Sequence, residues 1–183
     1  MQSTVEDYIV SLIGTKYVWW REGDDITAVA PFYAENSKAV SAEIVKQYGC
    51  NCAGFVNLIC RLMNVKIPGI QEHIPMAGGT YVWFSYLSSL GLLEPFDATK
   101  TYPFGTLVLR NYLNPEDQGH ITLIISNGRL AHSGSENGIH VDESVLISHN
   151  WIPEGYYTHV CLPSAFMNNP LFHKFKIILI RNV

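Results

Sequence analysis

Residues 50–63 read Cys50-Asn51-Cys52-Ala53-Gly54-Phe55-Val56-Asn57-Leu58-Ile59-Cys60-Arg61-Leu62-Met63, and their spacing decides the fold. Cys52, Phe55, Val56, Ile59, Cys60 and Met63 fall at i, i+3, i+4, i+7, i+8 and i+11, one continuous apolar stripe of a helix that begins at Cys52. Asn51 stands where an N-cap belongs. Such a start suits a nucleophilic cysteine. The first turn presents unpaired backbone N–H groups and the positive end of the helix dipole, which stabilise a thiolate. The same N–H groups can donate to the oxyanion that forms when a thiolate attacks a carbonyl. Cys60, two turns further and on the stripe, reads as a small core residue.

Working outward, Val5 to Ile13 forms a short amphipathic helix closed by Gly14, and Tyr17-Val18-Trp19-Trp20 an extended aromatic piece. A further helix covers Ser37 to Gln47, and another runs from Thr80 to Leu90 with Gly91 as its stop. From Phe104 the character changes to strands: 106–110, 120–126, 129–132, 157–161 and 176–180, with Asn127-Gly128 as a hairpin signal between the second and third. Helices first and strands later predict an α+β fold in which the cysteine helix packs on an antiparallel sheet.

A base for Cys52 has to come from elsewhere in the chain. His120 opens a strongly apolar strand, and His132 lies just beyond the Asn-Gly turn, able to orient the first imidazole. Nucleophile, base and orienter then have one candidate each. Each has a bland alternative, a small hydrophobic cysteine or a structural histidine, and only the joint context favours chemistry. His73, His140, His149, His159 and His173 have no such context and read as surface or structural residues.

The chain has 183 residues, 48% hydrophobic and 15% charged, with a formal net charge of −4. This size and composition predict one globular domain over residues 1–183. The charge leaves no electrostatic footprint for nucleic acid. No apolar run reaches the length of a membrane span, and Met1-Gln2-Ser3-Thr4-Val5-Glu6-Asp7 is not a signal peptide. The expectation is a protein made in the cytosol that, if it works elsewhere, leaves by a non-standard route. Four cysteines are too few for a disulfide scaffold. Cys50-Asn51-Cys52 is a poor zinc motif, and neither a metal nor a cofactor is expected. Cys50 is a bystander that could silence Cys52 by forming a disulfide under oxidation.

Asn51-Cys52-Ala53-Gly54-Phe55-Val56 resembles the D-C-S-G-F-V motif of NlpC/P60 cysteine peptidases. The run from Gly119-His120 to Ala131-His132 resembles that family's G-H-V-G-I-Y-L-G-N-G-R-M-I-H. Pro103-Phe104-Gly105-Thr106-Leu107-Val108 is similar to its P-G-D-L-V strand, and Gly14-Thr15-Lys16-Tyr17-Val18-Trp19 to its G-x-x-Y-x-W-G-G opening. Order and spacing agree from roughly residue 12 to 145. The resemblance implies a papain-like fold and metal-free hydrolysis of peptide or amide bonds, commonly in bacterial cell-wall peptides. It implies Cys52 as nucleophile, His120 as base, His132 as orienter and Tyr17 as a phenol at the site. For Tyr17 a half-buried structural aromatic is the equal alternative. Asn51 replaces the family's usual acid, Ala53 removes a common hydroxyl, and Trp20-Arg21 stands in place of the Gly-Gly. These departures touch the substrate groove more than the cysteine–histidine pair.

Two other functions stay open: an acyltransferase or lipid amidase with the same chemistry, and a catalytically silent binding module. In the lecithin:retinol acyltransferase relatives the histidine precedes the cysteine; here Cys52 precedes His120. The substrate bond, any inhibitor or immunity protein and the oligomeric state are not encoded in any motif. One geometric condition attaches to His132. A two-residue Asn127-Gly128 turn pairs Leu123 with His132, which puts His132 on the face opposite His120 and roughly 10 Å along the strand. A bulge, a longer loop or strong twist is needed to bring the two together.

Overall fold

The computed structural model describes residues 2–19, 33–35, 38–111, 113–114, 117, 119–142 and 156–167. Helices α1 (Gln2–Leu12), α2 (Ala42–Tyr48), α3 (Cys52–Met63) and α4 (Thr80–Ser89) come first. Strands β1 (Glu94–Pro95), β2 (Leu107–Arg110), β3 (His120–Ile124), β4 (Leu130–Gly134), β5 (Gly138–Asp142) and β6 (His159–Cys161) follow, and a short α5 (Pro163–Phe166) comes after them. The strands form one antiparallel sheet in the order β1-β6-β2-β3-β4-β5. This is the α+β architecture expected.

Helix α3 starts where its apolar stripe does. Asn51 adopts extended backbone and its side chain accepts the Gly54 N–H at 2.7 Å, while Asn64 closes the helix in the left-handed region. Phe55, Ile59 and Cys60 are buried, and α3 packs on β3 and β4. Helix α2 is shorter than the sequence predicts: Ser41 caps it, and residues 38–41 are non-helical. Strands β1 and β5 were not foreseen. The former is two residues long and carries no readable period. The latter opens at Gly138 after a turn over 135–137, and Asn137-Gly138 is the same punctuation that marked the hairpin before it. The expected strand over 176–180 lies outside the described residues.

Alternation along the strands divides the sheet into two faces. Leu107, Leu109, Ile121, Leu123, Ala131, Ile139 and Cys161 join the main core under the helices. Val108, Ile124, Leu130 and Val160 form a smaller cluster on the other side, with Tyr157 and partly buried Phe96, Tyr102 and Tyr156. That second face also carries Arg110, His120, Thr122, His132, His140 and Asp142, by the strand pairings.

The β3–β4 connection departs from the two-residue turn. Ser126–Gly128 is a single 3-10 turn with Asn127 in the left-handed region at φ 62°, and the Ile125 N–H bonds to the Arg129 carbonyl at 2.8 Å. The loop is therefore three residues long. Leu123 faces Ala131 and not His132, and Ile124 faces Leu130. This one-residue shift moves His132 to the face that holds His120. Ser126 is the extra loop residue: its N–H bonds to Glu6 Oε1 at 2.9 Å instead of to Arg129.

Candidate active site

Cys52 is the first residue of α3, only 6% exposed. The segment leading to it is held from both sides. Cys50 N–H bonds to the Lys16 carbonyl at 3.0 Å, and Ser133 Oγ on β4 donates to the Cys50 carbonyl at 2.8 Å. Residues 14–15 bond in turn to Ile139 of β5, with Gly14 N–H to the Ile139 carbonyl at 3.0 Å and Ile139 N–H to the Thr15 carbonyl at 2.9 Å. Gly138, at φ 65°, leaves no room for a Cβ against the Thr15 carbonyl, so a glycine is required there.

Pairing between β2 and β3 continues to His120, whereas pairing between β3 and β4 stops at Leu123–Ala131. The two strands splay at the site end. The Ile121 N–H faces the Cys52 sulfur, as do the N–H groups of Cys52 and Ala53. Thr80, the first residue of α4, places its hydroxyl 3.6 Å from Cys52 Sγ. Helix α4 is tied to α3 through Asn57, whose side chain accepts from Trp83 Nε1 at 2.8 Å and donates to the Gly78 carbonyl at 3.0 Å. Burial pushes the Cys52 thiol pKa up, and the Thr80 hydroxyl and the three N–H groups act against that shift.

His120 and His132 meet on the second face. His120 Nε2 lies 3.1 Å from His132 Nδ1, and His132 Nε2 lies 3.0 Å from Asp142 Oδ2. The proton positions follow from donor and acceptor chemistry. An ionised Asp142 only accepts, so His132 carries its proton on Nε2. His132 Nδ1 is then an acceptor and takes a hydrogen bond from His120 Nε2–H. His120 Nδ1 is left as a lone pair, the form a general base needs. Burial, followed by His132, Arg110 and His140, holds the His120 pKa well below the ordinary value. Burial lowers His132 as well, while the hydrogen bond from His132 lowers Asp142. The resting arrangement is thus a neutral thiol with neutral imidazoles, ending in a carboxylate.

Tyr17 is half-buried and pairs with Cys50 in an isolated parallel bridge. Burial, and then the charge of a Cys52 thiolate, raises its pKa, so its phenol stays protonated. Tyr156 and Tyr157 lie over His120 with ring centroids 6.1 and 6.3 Å away. Arg110, opposite His120 on β2, stacks on the Tyr156 ring at 4.5 Å and pairs with Asp117.

The structure thus brings His120 and His132 together, bridges the Tyr17 backbone to Cys50, two residues before Cys52, and sets Cys52 against the N–H of the residue after His120. Asp142 and Thr80 were missed by the sequence reading. So was His140, read there as surface or structural: it lies directly opposite His132 on β5, ring centroids 4.2 Å apart. A signal for it existed, because a turn at 135–137 places 140 opposite 132. Cys60 is 1% exposed and belongs to the core as expected, and Cys50 is a fully buried free thiol. His73 is exposed, while His149 and His173 lie outside the described residues. Among the described residues no helix is long and apolar enough to cross a membrane.

No family model matches the chain, and no curated protein matches it. Among solved structures it is similar to the NlpC/p60 domain of peptidoglycan hydrolase SagA, with 15% identity and a TM-score of 0.42, over 88% of this chain and 97% of that one.

Proposed function

We propose that the protein is a cysteine hydrolase of the NlpC/P60 type, cleaving peptide or amide bonds in bacterial cell-wall stem peptides. One observation carries the reaction class. A cysteine at a helix start lies against the β3 backbone next to His120, whose base tautomer follows from the chain His120–His132–Asp142. The cell-wall substrate rests on the motif resemblance over residues 14–19, 51–56 and 119–132.

In this reading His120 Nδ1 takes the Cys52 proton as the sulfur attacks the scissile carbonyl carbon. The resulting imidazolium is stabilised through His132 by the Asp142 carboxylate. Backbone N–H groups at the start of α3 and the Tyr17 phenol are the candidate donors to the oxyanion. Collapse of the tetrahedral intermediate breaks the C–N bond, His120 returns its proton to the leaving amine, and water then hydrolyses the thioester with His120 again as base. Depressed basicity suits this cycle, because His120 stays neutral into mildly acidic solution.

The test is mass spectrometry of products from purified peptidoglycan, with Cys52→Ala as control. New peptide or amide cleavage with the native protein, lost in the variant, supports the reading; the same products from both overturn it. A silent binding module is the second reading, favoured by the burial of Cys52. A thiol-reactive probe near neutral pH separates the two: labelling of Cys52 no faster than that of Cys60 supports the silent module.

A further inference from the structure

The second sheet face holds a feature the proposed reaction does not use. His140 Nδ1 lies 2.8 Å from the Gly138 carbonyl, which can only accept, so Nδ1 carries the proton and Nε2 is a bare lone pair. That Nε2 is buried without a hydrogen bond and stands 3.6 Å from Asp142 Oδ1. Two acceptors facing each other repel unless a cation lies between them, either a proton or a metal ion.

The surroundings favour a metal. Ligand atoms of His132, His140 and Asp142 all lie within 4.8 Å of one another. His132 Nε2 lies 3.0 Å from one Asp142 oxygen and His140 Nε2 3.6 Å from the other, either side of the roughly 3.3–3.5 Å that separates donors around a tetrahedral ion with bonds of about 2.0–2.1 Å. His140 already has the outer support usual for a metal-bound imidazole, a ring N–H donated to a backbone carbonyl. Gly134 keeps the space beside the rings open: a Cβ there would sit 3.1 Å from His140 Cε1 and 3.6 Å from His132 Cε1. Two imidazoles and one carboxylate suit Zn²⁺ and disfavour Mg²⁺ and Ca²⁺, which take oxygen donors.

We infer that His132 Nε2, His140 Nε2 and the Asp142 carboxylate form a Zn²⁺ site, and that its occupation switches the cysteine–histidine pair off. The second half rests on the proposed hydrolase reading. Zn²⁺ needs the His132 Nε2 lone pair, so the His132 proton moves to Nδ1. His132 then donates to His120 Nε2, and the His120 proton moves to Nδ1. The proton count is unchanged, but His120 has lost the lone pair that accepts the Cys52 proton. The metal reverses the hydrogen-bond direction of the whole chain from its far end.

Calorimetric titration of the Cys52→Ser protein with zinc chloride tests the site without the reactive thiol. One Zn²⁺ per chain is expected, with binding weakened in the Cys52→Ser/His140→Ala and Cys52→Ser/His140→Gln proteins by at least the roughly 10–100-fold that loss of a supporting partner costs. Equal affinity in both double variants, or no binding to Cys52→Ser itself, overturns the site. Nitrogen-15 shifts of His120 read the switch directly, the protonated nitrogen changing from Nε2 to Nδ1 on saturation; an unchanged tautomer overturns it. On cell-wall peptides Zn²⁺ inhibits the thiol-intact protein, chelator restores it, and the single variant His140→Ala is active and insensitive. Equal inhibition of His140→Ala means that the metal acts on Cys52, which overturns the switch. If no peptide is cleaved, the hydrolase reading fails while calorimetry still decides the site.

Discussion

The two faces of the sheet are built from the same strands and do opposite work. Under the helices, Leu109, Ile121, Leu123 and Ala131 are buried among apolar neighbours, and that face contributes cohesion. One residue away along each strand, the other face carries Arg110, His120, Thr122, His132, His140 and Asp142, most of them half-buried or buried and joined by hydrogen bonds. The first face tolerates apolar substitutions of similar volume, because dispersion and burial are not directional. The second depends on angles and proton positions, so a change at His120, His132 or Asp142 too small to affect folding alters its hydrogen-bond chain. Cys52 stands against β3, with the Ile121 N–H and the Thr80 hydroxyl facing its sulfur.

The sharpest way to break this division is to delete Arg129. With the three-residue loop kept, Leu123 then pairs with His132, which turns His132 toward the helices. Cleavage should fall by about 10³-fold or more. Chemical-shift mapping of β4 against β3 gives the register directly; unchanged pairing with normal activity contradicts the register argument. Asp142→Asn is milder. An amide can donate to His132 Nε2 and select the wrong tautomer, and an effect of about 10²-fold on kcat is expected, smaller than for a partner touching the base itself. A shifted acid limb in the pH profile at unchanged thermal stability separates tautomer control from loss of packing.

The charge state of the second face also shows in stability. His120 has a lowered pKa in the folded chain, so below about pH 6.5 the unfolded chain binds the extra proton. Stability is full above the unfolded value and declines as pH falls below it, by up to about 1.4 kcal/mol per pH unit for this group. His132, Arg110 and His140 face it and act in the same direction. Urea midpoints in chelator at pH 7 and pH 5 should differ, and less so in His120→Asn; an identical drop in that variant assigns the effect elsewhere. The smallest effect belongs to the cap. Asn51→Ala removes the 2.7 Å bond to Gly54 N–H and should cost about 1 kcal/mol in denaturant melts. Because that cap aims the first turn at the thiol, slower alkylation of Cys52 should accompany it.

Much of the first face was readable in advance. The apolar stripe from Cys52 to Met63, the Asn51 cap, the burial of Cys60 and the change from helices to strands all depend on periods of a few residues, which a chain displays locally. So were the places of Cys52 and His120, one at a helix start and the other at the head of a strand. The sheet's second face was legible only in part. His132 could be named but not placed, because its side of the strand turned on whether the loop holds two residues or three. The Ile125 N–H bond to the Arg129 carbonyl settled that, and nothing in the Asn-Gly pair alone distinguishes the two loops, since both take a left-handed Asn127. Asp142, His140 and Thr80 come to the site through strand pairing and helix docking, contacts without a local period. The sequence by itself determined the helix that begins at Cys52, since helix periodicity and capping are short-range. Only the tertiary structure decided which imidazole nitrogen faces which partner, because that depends on register, and register is set by how distant segments pair.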